Sequence, residues 1–128
     1  MGDRANIAIK HIPAEGQQPQ FIYLYSHWGG SELPETLQSA LMRGKSRWGD
    51  GQYLNRIIFN QVTMGEEKEL TGFGLSTYIG DGGRRVIEVD TDHNTVQVRG
   101  SSKVWTFDEY VALDFADRDP WEIAGGEA

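Results

Sequence analysis

The sequence predicts an α+β domain: a mostly antiparallel sheet with two helices packed on one face. Three observations lead there. Alternating apolar and polar runs lie before residue 30 and again after residue 72. Apolar residues at helical spacing lie between them, and glycine- or Asp-Gly-rich turns separate the alternating runs. Runs of strands divided by a helix pair favour segregated layers over a repeating parallel unit.

The elements follow in the order ββααββββα. "ANIAIKHI" alternates as a strand, and "PAEGQQP" is a turn-rich connection to a second strand over residues 21–28, so the two form a hairpin with a long loop. Ser31 offers a helix N-cap with Pro34 in the permitted first turn. Leu33, Leu37, Ala40 and Leu41 make the apolar stripe, and Gly44 stops it. Asp50 offers a second N-cap, before a stripe of Tyr53, Leu54, Ile57, Ile58 and Val62. Ile22 and Leu24 are expected to bury against Leu37, Leu41, Leu54 and Ile58. "TGFGLSTYI" alternates again, with Phe73, Leu75, Thr77 and Ile79 on one face. Asp-Gly within "GDGG" (80–83) signals a hairpin turn, and "DTDHN" a second one between "RRVIEV" and "TVQVRG". "KVWTF" adds a short strand and "DEYVALDF" a short helix. Residues 1–116 form the expected single domain, and 117–128 an acidic, glycine-rich tail.

The 128 residues carry a net charge of -7. Seven acids (Asp108, Glu109, Asp114, Asp117, Asp119, Glu122, Glu127) against Arg118 alone place most of it after residue 107. The rest is nearly neutral, so duplex nucleic acid is not an expected partner. There are no cysteines, which excludes disulfides and thiolate chemistry and fits a reducing cytoplasm. No apolar run of about 18 residues predicts a membrane span, and no apolar segment near the N-terminus reads as a secretory signal.

The candidate site starts from "FIYLYSHWGG". Tyr23, Tyr25 and His27 share one strand face with Phe21. Tyrosine buries area yet keeps a hydroxyl to satisfy, which suits a ligand wall or a wet interface; an ordinary outer sheet face is the alternative. Trp28 extends the row. Gly29 and Gly30 let backbone approach an anion at a helix start, although Glu32 and Glu35 already supply negative charge there. Arg47 beside Trp48, and Arg56 on the second helix, can stack on a base or meet a phosphate. These nine residues form the ligand-binding set. No catalytic, metal or cofactor motif accompanies them. "RGKS" lacks the first P-loop glycine, "GFG" lies within a strand, and His11, His27 and His93 fall in three separate places.

"YLYSHWGGSELPETLQSAL", "RWGDGQYLNRIIF", "TGFGLST" and "VIEVD" resemble a group of small uncharacterised proteins of bacteria and their phages, over roughly residues 1–100. That resemblance implies a phage or prophage context, a site in the host cytoplasm and an action against host defence. The expected function is therefore a non-catalytic, homo-oligomeric protein that sequesters a nucleotide-like immune signal. Two alternatives are an acidic inhibitor that blocks a host defence protein through residues 108–128, and a small enzyme with His27 as general base.

Overall fold

A computed structural model describes residues 2–126. The fold is α+β: six strands in one sheet and four α-helices. The strands are β1 (Ala5–His11), β2 (Gln20–Ser26), β3 (Phe73–Ser76), β4 (Val86–Asp90), β5 (Thr95–Val98) and β6 (Trp105–Thr106). They lie in the order β3-β2-β1-β4-β5-β6. All neighbours are antiparallel except β1 and β4, which run parallel. The N-terminal hairpin and the β4–β5 turn form as expected. In that turn Asp90 Oδ1 accepts the N–H groups of Asp92 and His93, and Asn94 takes a positive φ of 56°.

The "GDGG" segment is not a hairpin turn, which corrects the expectation. It carries the chain from the edge strand β3 past β2 and β1 to β4. Gly82 adopts φ +72°, and a Cβ there would meet the Asn6 side chain at 3.0 Å and the Ala5 nitrogen at 3.1 Å. The dipeptide thus serves a tight crossing over the start of β1.

Helix α1 (Leu33–Arg43) buries the whole predicted stripe, Leu33, Leu37, Ala40 and Leu41. Its N-cap is Glu32, not Ser31; a 3-10 turn over Gly30–Glu32 precedes it. Helix α2 (Gly51–Thr63) buries Leu54 and Ile58, but Tyr53 is exposed. Both helices cover one sheet face, packing on Ala5, Ile7, Ile9, Leu24, Ile87 and Val89. Ile22 lies on the same face as Leu24 yet is 39% exposed. The helices stop short of it, and this gap shapes the site described below.

Helix α3 (Phe107–Val111) begins with a capping box between Thr106 and Glu109. Its Tyr110 is buried and donates to Pro34 O at 2.6 Å, while Gln38 Nε2 donates to the carbonyls of Tyr110, Val111 and Leu113. The segment read as an acidic, glycine-rich tail after residue 116 packs onto the domain. Asp119 caps a fourth helix, α4 (Pro120–Ala124), which buries Ile123 and Ala124. Trp121 Nε1 donates to Gly30 O, and Trp105 Nε1 to Ala124 O, each at 2.7 Å. Residues 127 and 128 lie outside the described residues.

Candidate functional site

The outer sheet face carries the aromatic row, and its polar atoms are largely satisfied from within. Tyr23 is buried beside Ala8 and Val86, with Phe21 stacked on it at 5.7 Å between ring centroids. Arg99 lies over both rings, pairs with Glu88 at 2.7 Å and reaches the Tyr23 hydroxyl. The Arg99 guanidinium is held above its ordinary pKa: burial opposes this, but the hydrogen bonds to Glu88 and Tyr23 outweigh it.

Tyr25 and His27 bond each other, Oη to Nδ1 at 2.5 Å. A Cβ on Gly2 would come within 2.8 Å of His27 Nε2, so the other ring nitrogen faces backbone rather than open space. Trp28 packs edge-on against His27 and is 62% exposed. His27 is thus held by Tyr25 on one side and packed by Trp28 on the other, and it does not line the cleft described below.

At Gly29 and Gly30 the chain supplies its own anion. Asp3 accepts from Ser31 N and Ser31 Oγ at 3.0 and 2.7 Å, and pairs with Arg85. Burial opposes ionisation, but these bonds hold the carboxyl down to about 2. Gly30 N donates to Asp3 O, and a Cβ on Gly30 would overlap that oxygen at 2.5 Å. The glycine admits the crossing of residues 3 and 4, where the sequence suggested a phosphate.

Arg47 lies over the exposed Tyr53 ring and 3.9 Å from Asp50. Trp48 is structural: Nε1 donates to Leu41 O at 2.9 Å, and the ring meets Phe107 edge-on. Arg56 borders a shallow hollow with Glu66, Glu67 and Glu69 on the helix side. The sheet separates it from Tyr25 and His27, so the nine residues do not converge on one site. The acidic C-terminal segment is likewise occupied locally, since Glu109 and Asp119 cap helices and Asp114 accepts from Ala116 N.

A large cavity lies elsewhere. A cleft of about 1060 Å³ opens on the helix side, where α2 begins and the ends of β1 and β2 run past it. This is just above the volume range of small-molecule sites, roughly 300–1,000 Å³. Ile9 and Ile22 form its apolar floor, and His11, Asn55, Thr91 and Asp92 its polar wall. The start of α2 enters it as Gly49–Asp50–Gly51–Gln52. Asp50 occupies the N-cap position as predicted, but its side chain accepts no backbone N–H, which leaves the first-turn amides of α2 without a side-chain cap. Asn55 Oδ1 is buried with no hydrogen-bond partner. Asn94 Oδ1, in the β4–β5 turn, is the other such atom among the described residues.

At the rim His11 Nδ1 lies 3.2 Å from Asp92 Oδ1, and Asp92 Oδ2 accepts Ile12 N–H at 2.7 Å. That backbone bond, aided by His11 and outweighing burial, lowers the Asp92 pKa. Sequence reasoning passed over Asn55 and placed neither His11 nor Asp92 in a ligand site. The one local signal was the glycine on each side of Asp50, which leaves the α2 amides uncovered.

Among the described residues no group of three His, Cys, Asp or Glu side chains converges as a metal site, and no helix is long and apolar enough to cross a membrane. No family model matches the chain, and comparison with curated proteins and with solved structures returns no match.

Proposed function

We propose that this protein binds a small nucleotide-like ligand without converting it, and that the ligand occupies the helix-side cleft rather than the aromatic face. One observation carries this reading: Asn55, whose Oδ1 is buried and unpartnered, lines a cleft that also receives the uncapped start of a 13-residue helix. Leaving a buried acceptor unpaired costs about 1–3 kcal/mol, so such an atom marks a place where a partner is expected. An amino group of a base satisfies it after rotation of the amide. An anionic group meets the α2 amides, whose dipole favours negative charge. Ile9 and Ile22 supply the apolar surface under the base. The phage context implied by the resemblance makes sequestration of a nucleotide signal the proposed purpose.

A second reading rests on His11. With Nδ1–H donating to Asp92, Nε2 is left as an acceptor at the cleft rim, the arrangement of a general base held by a carboxylate. A small hydrolytic enzyme would use it.

Thermal melting with mononucleotides, cyclic mononucleotides and cyclic dinucleotides separates these readings. The binding reading predicts a higher Tm with at least one of them, by mass action. It also predicts that the nucleotide is recovered intact, and that Asn55→Leu abolishes the rise without lowering the Tm of the free protein. Recovery of a cleaved nucleotide favours the second reading. No rise with any of them overturns the first.

A further inference from the structure

The helix-side cleft has a one-sided charge balance. Among the described residues, Asp50 and Asp92 line it, with His11 at the rim, and no lysine or arginine does. Two bases close by in the sequence are directed elsewhere. Lys10 falls between Ile9 and His11 in β1, so it projects from the opposite sheet face. Arg47 lies over the Tyr53 ring and 3.9 Å from Asp50, with both side chains half-exposed. An ion pair at that distance and exposure offsets little of the carboxylate's charge.

The other polar side chains of the lining are uncharged. Gln20, Gln52 and Asn55 contribute carboxamides, and Thr77 and Thr91 hydroxyls. Carboxamides donate and accept, and they make paired hydrogen bonds to the edges of bases. Chains of phosphate are held by guanidinium and ammonium groups, which this lining lacks. Its positive potential comes from the open start of α2, equivalent to about half an elementary charge. Asp50 stands at that start. Its carboxylate accepts no backbone N–H, so the helix amides do not neutralise it, whereas Asp92 Oδ2 accepts Ile12 N–H.

Resting on the nucleotide reading above, we propose that the cleft selects its ligand by charge, and that Asp50 sets the limit. It takes a nucleoside, or a nucleotide with a single negative charge, and turns away ligands with two or more. A cyclic mononucleotide falls inside this limit. Cyclic dinucleotides and triphosphates fall outside it, and so does a terminal monophosphate, which carries about two negative charges at neutral pH.

Isothermal titration of the full chain tests this. The ligands are each common ribonucleoside, its cyclic monophosphate, its monophosphate and its triphosphate, together with cyclic dinucleotides, each in EDTA and in magnesium. For the base that binds, the nucleoside or the cyclic monophosphate should bind tightest, and the triphosphate weaker by about tenfold or more at low salt. Added salt should narrow that gap, because like-charge repulsion is screened; a site built on basic side chains responds in the opposite direction. Asp50→Asn keeps the size of the side chain and its preference for a helix start. It should leave the Tm of the free protein unchanged and narrow the gap by about threefold or more. A triphosphate or cyclic dinucleotide that binds tightest, with or without magnesium, would overturn the proposal and leave the nucleotide reading standing. So would equal affinities across the series, or a gap that Asp50→Asn does not change. No binding by any of these ligands would overturn both.

Discussion

The outer sheet face and the helix-side cleft contain similar materials and put them to different ends. Both hold a histidine bonded to a neighbour, ring or carboxylate, and both border on glycines. On the outer face the polar atoms find partners in the protein, Tyr23 in Arg99 and Tyr25 in His27, and at the glycine turn Ser31 and Arg85 find Asp3. In the cleft a buried acceptor and a helix start are left open. Residue types that suit a ligand do not locate a site; unsatisfied groups next to open volume do so better.

The sharpest way to break this comparison is to truncate adjacent residues of the same strand face. Leu24, 2% exposed, lies under the helices, and Leu24→Ala should cost about 2–5 kcal/mol in denaturant unfolding. Ile22 floors the cleft, and Ile22→Ala should change stability by about 0.5 kcal/mol or less while weakening ligand binding. Equal losses would mean that the helices cover both residues and the cleft is closed.

The second test is acid unfolding. Asp3 has a lowered pKa in the folded state, about 2 against 3.8 in the unfolded chain. The unfolded chain therefore takes up the proton first as pH falls. The stability this carboxylate contributes is complete above pH 4 and disappears between about 4 and 2. Asp3→Asn should destabilise the protein at pH 7 and differ little from wild type near pH 2, in melts followed by circular dichroism. A constant difference across that range would mean that the Arg85 and Ser31 contacts do not depend on the charge.

The smallest expected effect belongs to the face that first draws the eye. Tyr25→Phe removes the bond to a half-buried His27, and should shift stability by about 1 kcal/mol or less with no change in nucleotide binding. A loss of binding without a loss of stability would return the site to the aromatic row.

The residues explain which features sequence reading reached. Leu33, Leu37, Ala40 and Leu41 announce α1 because helical spacing is local, and "DTDHN" announces its turn because Asp90 bonds amides two and three residues ahead. The parallel pairing of β1 with β4 joins residues about 80 positions apart and leaves no local mark. "GDGG" was misleading because a hairpin turn and a tight crossing both need glycine. α4 did have a local signal, Asp119 before Pro120, but the polar composition around it suggested a tail; only Gly30 O and Trp105, far along the chain, give Trp121 and Ala124 their partners. For the site, the rings of residues 21–28 were legible and their partner Arg99 was not. The cleft itself arises from where α2 starts relative to the ends of β1 and β2, which no short stretch encodes.

The most direct measurement is an amide NMR titration of the wild-type chain with the nucleotide that raises its Tm most. The cleft account predicts shifts concentrated at residues 49–55 and at His11, Thr91 and Asp92, saturating together. Shifts concentrated at Tyr25, His27 and Trp28, with residues 49–55 unmoved, would contradict it.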